Sequence, residues 1–172
     1  MPTPNDLAKS GTEHGEQVAL FAWVRMATMR GFAAAWDDEC YKKAGYAAAT
    51  YGEAHAIPAL KWFHSIPNGG SRGDDAKSRA IRGGQLKAEG QRNGVLDTFW
   101  PFPRSVYAGF YIEMKKRDLK REGKPLHGCS EEQIEFGSFV SSLGYLALVC
   151  YTWQDAAKEI EKYYKSAHNL GG

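Results

Sequence analysis

Sulfur is scarce in this chain: 172 residues carry three cysteines, Cys40, Cys129 and Cys150, odd in number and far apart. There is no CxxC pair to hold zinc, and the count is too low for the disulfide frameworks of small secreted folds. The cysteines are read as free thiols, and Cys150, set in LALVCY, as a small buried apolar residue. Long apolar runs are missing too; none approaches the roughly 18 residues that a spanning helix needs. The opening MPTPNDLAKSGTEHGEQ lacks the basic-then-apolar plan of a secretory signal. The expectation is a cytoplasmic protein with no membrane partner. No GxGxxG or Walker A pattern opens a predicted helix, since Gly69, Gly70 and Gly73 form neither, which counts against nucleotide-cofactor enzymes. Internal repeats are absent, and compositional bias is confined to alanine runs at Ala33 to Ala35 and Ala47 to Ala49.

What the chain does have is core material. Hydrophobic residues make up 43%, with five Trp, nine Tyr and eight Phe, which excludes global disorder and suits one domain. Charge is unevenly spread although the net value is only +2. Between Arg72 and Lys124 there are 13 basic and 7 acidic residues, a balance of +6, whereas the remainder holds 9 basic and 13 acidic residues, a balance of −4. Lysine and arginine gathered in this way suit a polyanion, because they displace counterions condensed on phosphates. A solvated basic face of no function has the same signature.

Apolar spacing predicts a helix over 13–29, with Thr12 as N-cap and Gly31 as stop. Small residues continue a looser helical region to about Glu53. Residues 60–66 (LKWFHSI) read as a strand ended by the turn-forming PNGG, and 74–89 as a helix stopped by Gly90. Residues 95–100 and 109–115 read as a hairpin whose loop holds Pro101 and Pro103. Ser130 caps a helix over 131–143 with Gln133 completing a capping box. Residues 145–151 (YLALVCY) read as a fully buried strand, followed by a last helix over 154–164. The order indicates an α/β or α+β fold with a central mixed β-sheet flanked by helices.

The hairpin carries the most informative constellation. On its second strand Glu113 and Lys115 share a face, since successive side chains alternate. With the loop centred at Ser105, Asp97 falls opposite Glu113, at a Cβ separation of roughly 5 Å. Two carboxylates so close repel unless a proton or cation intervenes, and a hard divalent ion with oxygen ligands is one solution. Lys115 beside them suits phosphodiester hydrolysis, by orienting or helping to deprotonate water and by steadying transition-state charge. The same residues also suit a turn former at Asp97 and a Glu113 ion pair with Lys115 or Lys116 on a solvated face.

Asp97 followed by Glu113, Met114 and Lys115 is the D…E-x-K pattern of PD-(D/E)XK nucleases. HSIPNGG (64–70), GGQLKAEGQRNGVLDTFWPFPR (83–104), YAGFYIEMKK (107–116), SEEQ (130–133) and GYLALVCYTWQDA (144–156) resemble the virus-type replication-repair nuclease (VRR-NUC) family, in its stand-alone phage and bacterial form. The resemblance implies a restriction-endonuclease-like α/β core over about 13–164 of a single 1–172 domain, with the alanine-rich stretch of about 31–56 as an insert. It implies an endonuclease that uses Mg²⁺ or Mn²⁺, acts as a homodimer and cuts branched DNA such as Holliday junctions. By the same resemblance Asp97 and Glu113 are metal ligands, the Met114 carbonyl adds an oxygen, Lys115 is the catalytic lysine, and Glu16 and Gln133 accompany them. Where the motif usually has proline this chain has Leu96, which bears on strand geometry more than on chemistry.

Candidate DNA contacts are Asn68, Lys77, Arg79, Arg82, Lys87 and Arg92 before the hairpin, and Lys116, Arg117 and Lys120 after it. The loop from Lys116 to Gly128, rich in charge, is expected to order on DNA. A non-catalytic DNA-binding protein on a nuclease scaffold is the alternative; a hydrolase of small phosphate esters would not need so broad a basic surface.

Overall fold

The computed structural model of the chain describes residues 1–43, 52–67, 81, 84–86 and 88–167. Four short strands form one sheet in the order β1 (His64–Ser65), β2 (Thr98–Trp100), β3 (Phe110–Met114), β4 (Leu146–Cys150). The first three run antiparallel, and β4 lies parallel to β3 with Glu113 beside Val149. A parallel neighbour needs a crossover, here helix α5 (Glu131–Ser142). With helix α2 (Glu13–Arg30) ahead of the sheet and α6 (Trp153–Lys165) after it, the order is that of an α/β fold, a mixed sheet flanked by helices. Among the described residues no helix is long and apolar enough to cross a membrane.

Alternation along the strands divides the sheet into two faces. Trp100, Phe110, Ile112 and Met114 are fully buried on one face and join the core with α2 and α6 residues such as Leu20, Trp23 and Ile160. Each contributes roughly 1.5–3 kcal/mol by leaving water. The opposite face carries Phe99, Tyr111 and Glu113. Phe99 and Tyr111 stack at 4.4 Å between ring centres, and Phe136 of α5 meets Tyr111 edge-on. This face is therefore aromatic at one end and acidic at the other.

Caps mark the helix ends where side-chain chemistry calls for them. The Thr12 hydroxyl accepts from the Gly15 amide, and Ser130 and Gln133 form a reciprocal capping box on α5. Gly31 ends α2 at φ +89°, a left-handed conformation that also lets His55 pass where a Cβ would collide with its carbonyl oxygen. The looser helical region begins as α3 (Phe32–Trp36) and α4 (Asp38–Lys42), and 44–51 lie outside the described residues. A short N-terminal helix, α1 (Pro4–Leu7), precedes the elements expected from the sequence; Thr3 and Asp6 form a capping box and Pro4 opens it.

Three expectations are corrected. Residues 60–66 are mostly not a strand: Pro58–Trp62 is a 3₁₀ turn opened by Pro58, and only His64–Ser65 pair. The first hairpin strand begins at Thr98 rather than 95, because the Asp97 amide turns to the Glu113 carboxylate. The strand at 146–150 is half-buried rather than fully buried, because among the described residues it is the edge of the sheet. Of the helix expected over 74–89, residues 81, 84–86 and 88 are helical, and 74–80, 82, 83 and 87 lie outside the described residues.

Candidate active site

A tight turn at Ser105, whose φ is +52°, with Arg104 bridged to Tyr107, closes the loop between β2 and β3. It sets the register Thr98 opposite Ile112, so Asp97 comes alongside Glu113. The two acids are locked reciprocally. The Asp97 amide donates to Glu113 Oε2 at 3.0 Å, and the Met114 amide donates to Asp97 Oδ2 at 2.9 Å. The Asp97 carbonyl accepts from the Ile66 amide at 2.7 Å, tying β1 to the same corner. Leu96, in place of the motif proline, is buried at 2% exposure and serves as packing.

Glu113 is fully buried. Its Oε1 accepts from Lys115 Nζ at 2.7 Å and from Gln133 Nε2, while Lys115 Nζ also donates to Gln133 Oε1 at 3.0 Å. Gln133 Oε1 accepts in addition from the Ser130 amide at 3.0 Å, so one side chain both caps α5 and orients the ion pair. Burial, then the neighbouring Asp97 charge, push the Glu113 carboxyl up to about 7, despite the opposing pull of Lys115. For Lys115 burial acts downward, but the hydrogen bond and charge of Glu113 outweigh it and hold the ammonium above the ordinary lysine range. Lys115 therefore stands as a cation at neutral pH.

The sequence-predicted residues separate into groups. Asp97, Glu113, Lys115 and Gln133 come together, with Met114 supplying its amide to the cluster and burying its side chain in the core. Glu16 makes its hydrogen bonds with other partners. Its Oε1 accepts from Arg117 Nε at 3.0 Å and Nη2 at 2.6 Å, and its Oε2 accepts from the Trp153 amide at 2.8 Å. It caps α6 from a distance in sequence and pins the segment after β3. Glu16→Ala should cost about 2–3 kcal/mol by urea denaturation, less than a wholly buried pair because the Arg117 side chain is 50% exposed and regains water. Glu16→Gln, which keeps an acceptor for the Trp153 amide, should lose less; a catalytic Glu16 would reverse this, with full stability and no activity.

The acid that sequence reasoning missed is Glu13. It opens α2 directly after the Thr12 cap, is half-buried, and burial pushes its carboxyl up while the Lys115 charge pulls it down and Asp97 adds to the rise. It stands three positions before Glu16, on the same helix side. The signal was present as a carboxylate in the first turn, one turn earlier than the resemblance placed it. Cys129, also half-buried, lies in the field of Lys115, Glu113 and Asp97, and burial raises its thiol. It lines a hollow of about 250 Å³ with Leu96, Gln133, Ile134 and Val149.

Of the expected DNA contacts, Arg92, Lys116, Arg117 and Lys120 are exposed. Lys120 pairs with Asp155 at 2.8 Å. Asn68, Lys77, Arg79, Arg82 and Lys87 lie outside the described residues. In the 116–128 loop the Tyr151 hydroxyl donates to the Pro125 and His127 carbonyls, and Arg117–Leu119 form a 3₁₀ turn.

Among the described residues no three His, Cys, Asp or Glu side chains gather as a metal cage. The oxygen donors brought together are the Asp97 and Glu113 carboxylates, the hard kind that Mg²⁺ prefers. The raised Glu113 carboxyl fits that role, because a cation beside it would offset the burial and the Asp97 charge that raise it.

No family model and no curated protein matches the chain. Among solved structures, one described as a "VRR_NUC domain protein" is similar over 66% of this chain and 75% of that chain, at 20% identity and a TM-score of 0.48.

Proposed function

We propose that the chain is a metal-dependent, structure-specific DNA endonuclease that hydrolyses phosphodiesters in branched DNA such as four-way junctions. The observation that carries this reading is the reciprocal lock of Asp97 and Glu113 with Lys115 one pleat along. Mg²⁺ or Mn²⁺ would be held by Asp97, Glu113 and the Met114 carbonyl; when bound it polarises a phosphate oxygen and lowers the pKa of a water. The remaining work falls to the chain. Lys115, held as an ammonium, orients the attacking water and steadies charge on the phosphoryl oxygens rather than taking a proton. Gln133 fixes the Lys115 side chain, so its charge is placed before substrate arrives. Glu13 adds a further acid at the rim, where it can position water.

A homodimer suits a two-fold symmetric junction, with one subunit for each strand. Exposed apolar side chains on α5 and at its end, Ile134 at 40%, Phe139 at 59% and Leu143 at 56%, support such association.

The test is a panel of flap, fork, nicked and four-way DNA with Mg²⁺ or Mn²⁺, and with EDTA. Cutting of branched substrates that EDTA stops is the expected result; cutting that persists in EDTA would sink the metal assignment. Calorimetric titration with Mn²⁺ separates the non-catalytic alternative, which requires no saturable binding with or without DNA.

A further inference from the structure

Beside the candidate active site, the segment after β3 and the outer side of α6 enclose a groove of about 520 Å³, floored by the open edge of β4. Its rim carries five cations, Lys120, Arg121 and Lys124 on one wall and Lys158 and Lys162 on the other, against only Asp155 and Glu159. Lys120 is neutralised by Asp155 at 2.8 Å and Lys162 weakly by Glu159 at 3.5 Å. The Arg121 guanidinium donates only to the backbone carbonyls of Asp118 and Lys120, and Lys124 and Lys158 make no ion pair among the described residues. Among those residues, three convergent positive charges are thus left without a carboxylate. The wall is built, not loose, since Tyr151 clamps the carbonyls of Pro125 and His127. The strand that floors the groove ends beside the lysine of the acid cluster, since the Lys115 amide donates at 2.9 Å to the Cys150 carbonyl.

We propose that this groove carries one phosphodiester strand of a DNA arm away from the cleavage site, with α6 supplying Lys158 and Lys162 as phosphate contacts. The inference rests on the nuclease reading and extends its surface to a helix whose residues the sequence did not point to. A phosphate chain fits better than an acidic peptide. The cations sit on two walls facing each other across the groove, the arrangement that neutralises a backbone passing between them; a peptide paired on the β4 edge would need its side chains to alternate away from the walls. The contacts are sequence-independent and position the arm without reading bases.

The test is fluorescence anisotropy of a labelled duplex of about 30 bp, roughly three helical turns, across a salt series. It compares wild type, Lys158→Ala/Lys162→Ala, and Lys42→Ala/Lys43→Ala as a control of equal charge loss elsewhere. Each phosphate that is no longer neutralised lowers the slope of log K against log salt by about 0.9, so the α6 variant should lose close to 2. Its affinity should fall about tenfold near 0.1 M salt, with the control like wild type. An α6 slope equal to wild type, or a control that falls as far, overturns the proposal. So does poly-glutamate that competes as well as DNA at matched ionic strength and loses binding only in the α6 variant, since the groove would then belong to an acidic protein partner. The binding readout needs no cleavage. If the wild type cuts no DNA, the nuclease reading fails while the slope still decides the groove.

Discussion

Asp97→Asn is expected to leave branched DNA uncut, with the rate falling about 10³-fold or more, while the protein stays folded and binds DNA as wild type does. The amide oxygen still accepts from the Met114 amide, so the corner where β2 meets β3 is kept. Only the negative charge goes. Without one half of the oxygen pair, the transition state is deprived of charge stabilisation that it needs more than the ground state does, an effect of about 4 kcal/mol on the barrier. Asp97→Ala should add a modest loss of stability, about 1 kcal/mol, because the Met114 amide is left without its acceptor. Lys115→Met should give a loss of similar order by another route. Glu113 would lose the hydrogen bond and charge that oppose its upward shift, leaving it protonated more often, and the phosphoryl oxygens would lose their cation. Single-turnover cleavage of labelled four-way DNA with Mg²⁺, alongside denaturation curves, separates the three variants. Wild-type rates from Asp97→Asn would remove the acid pair from the chemistry.

The legible part of this site is the part written within one hairpin. Alternation on β3 puts Glu113 and Lys115 together, and the turn at Ser105 decides that Asp97 meets Glu113; both are local, so the sequence contains them. The Ser130 and Gln133 capping box is local as well, and it delivers Gln133 to the ion pair without any long-range information. What failed depends on partners far away in the chain. Glu16 and Glu13 are equivalent as letters on one helix side, and only the approach of Arg117 and Trp153 commits Glu16 to a structural task. YLALVCY looks like a central strand because nothing in its residues says that no fifth strand follows among the described residues. LKWFHSI looks like a strand, yet Pro58 opens a 3₁₀ turn through Trp62, which is 65% exposed. The cations of the α6 groove are illegible for the same reason: Lys158 and Lys162 lie outside the basic stretch and join it only in three dimensions.

In EDTA, stability should fall as the pH rises from about 4.5 to about 7, and the cause is Glu113. A carboxyl raised from 4.5 to about 7 in the folded protein holds its proton there when the unfolded chain has released it. The folded state then binds more protons across that window, and stability declines with pH by up to about 1.4 kcal/mol per unit, a total on the order of 3 kcal/mol. The sign is opposite to that of a carboxylate held low by a salt bridge, whose stabilisation grows with pH. Glu113→Gln removes the group, so its urea midpoint should stay nearly level over the same range. Mg²⁺ should act in the other direction. A cation that binds only the deprotonated acid releases the proton and stabilises the folded state, so the gain on adding Mg²⁺ should be small near pH 5 and largest above pH 7. Urea denaturation of both proteins at about pH 5, 6 and 7.5, each with EDTA and with Mg²⁺, reads these effects. Equal slopes in wild type and Glu113→Gln would mean that the buried acid does not carry the proton. A Mg²⁺ gain that ignores pH would place the ion somewhere other than on Glu113.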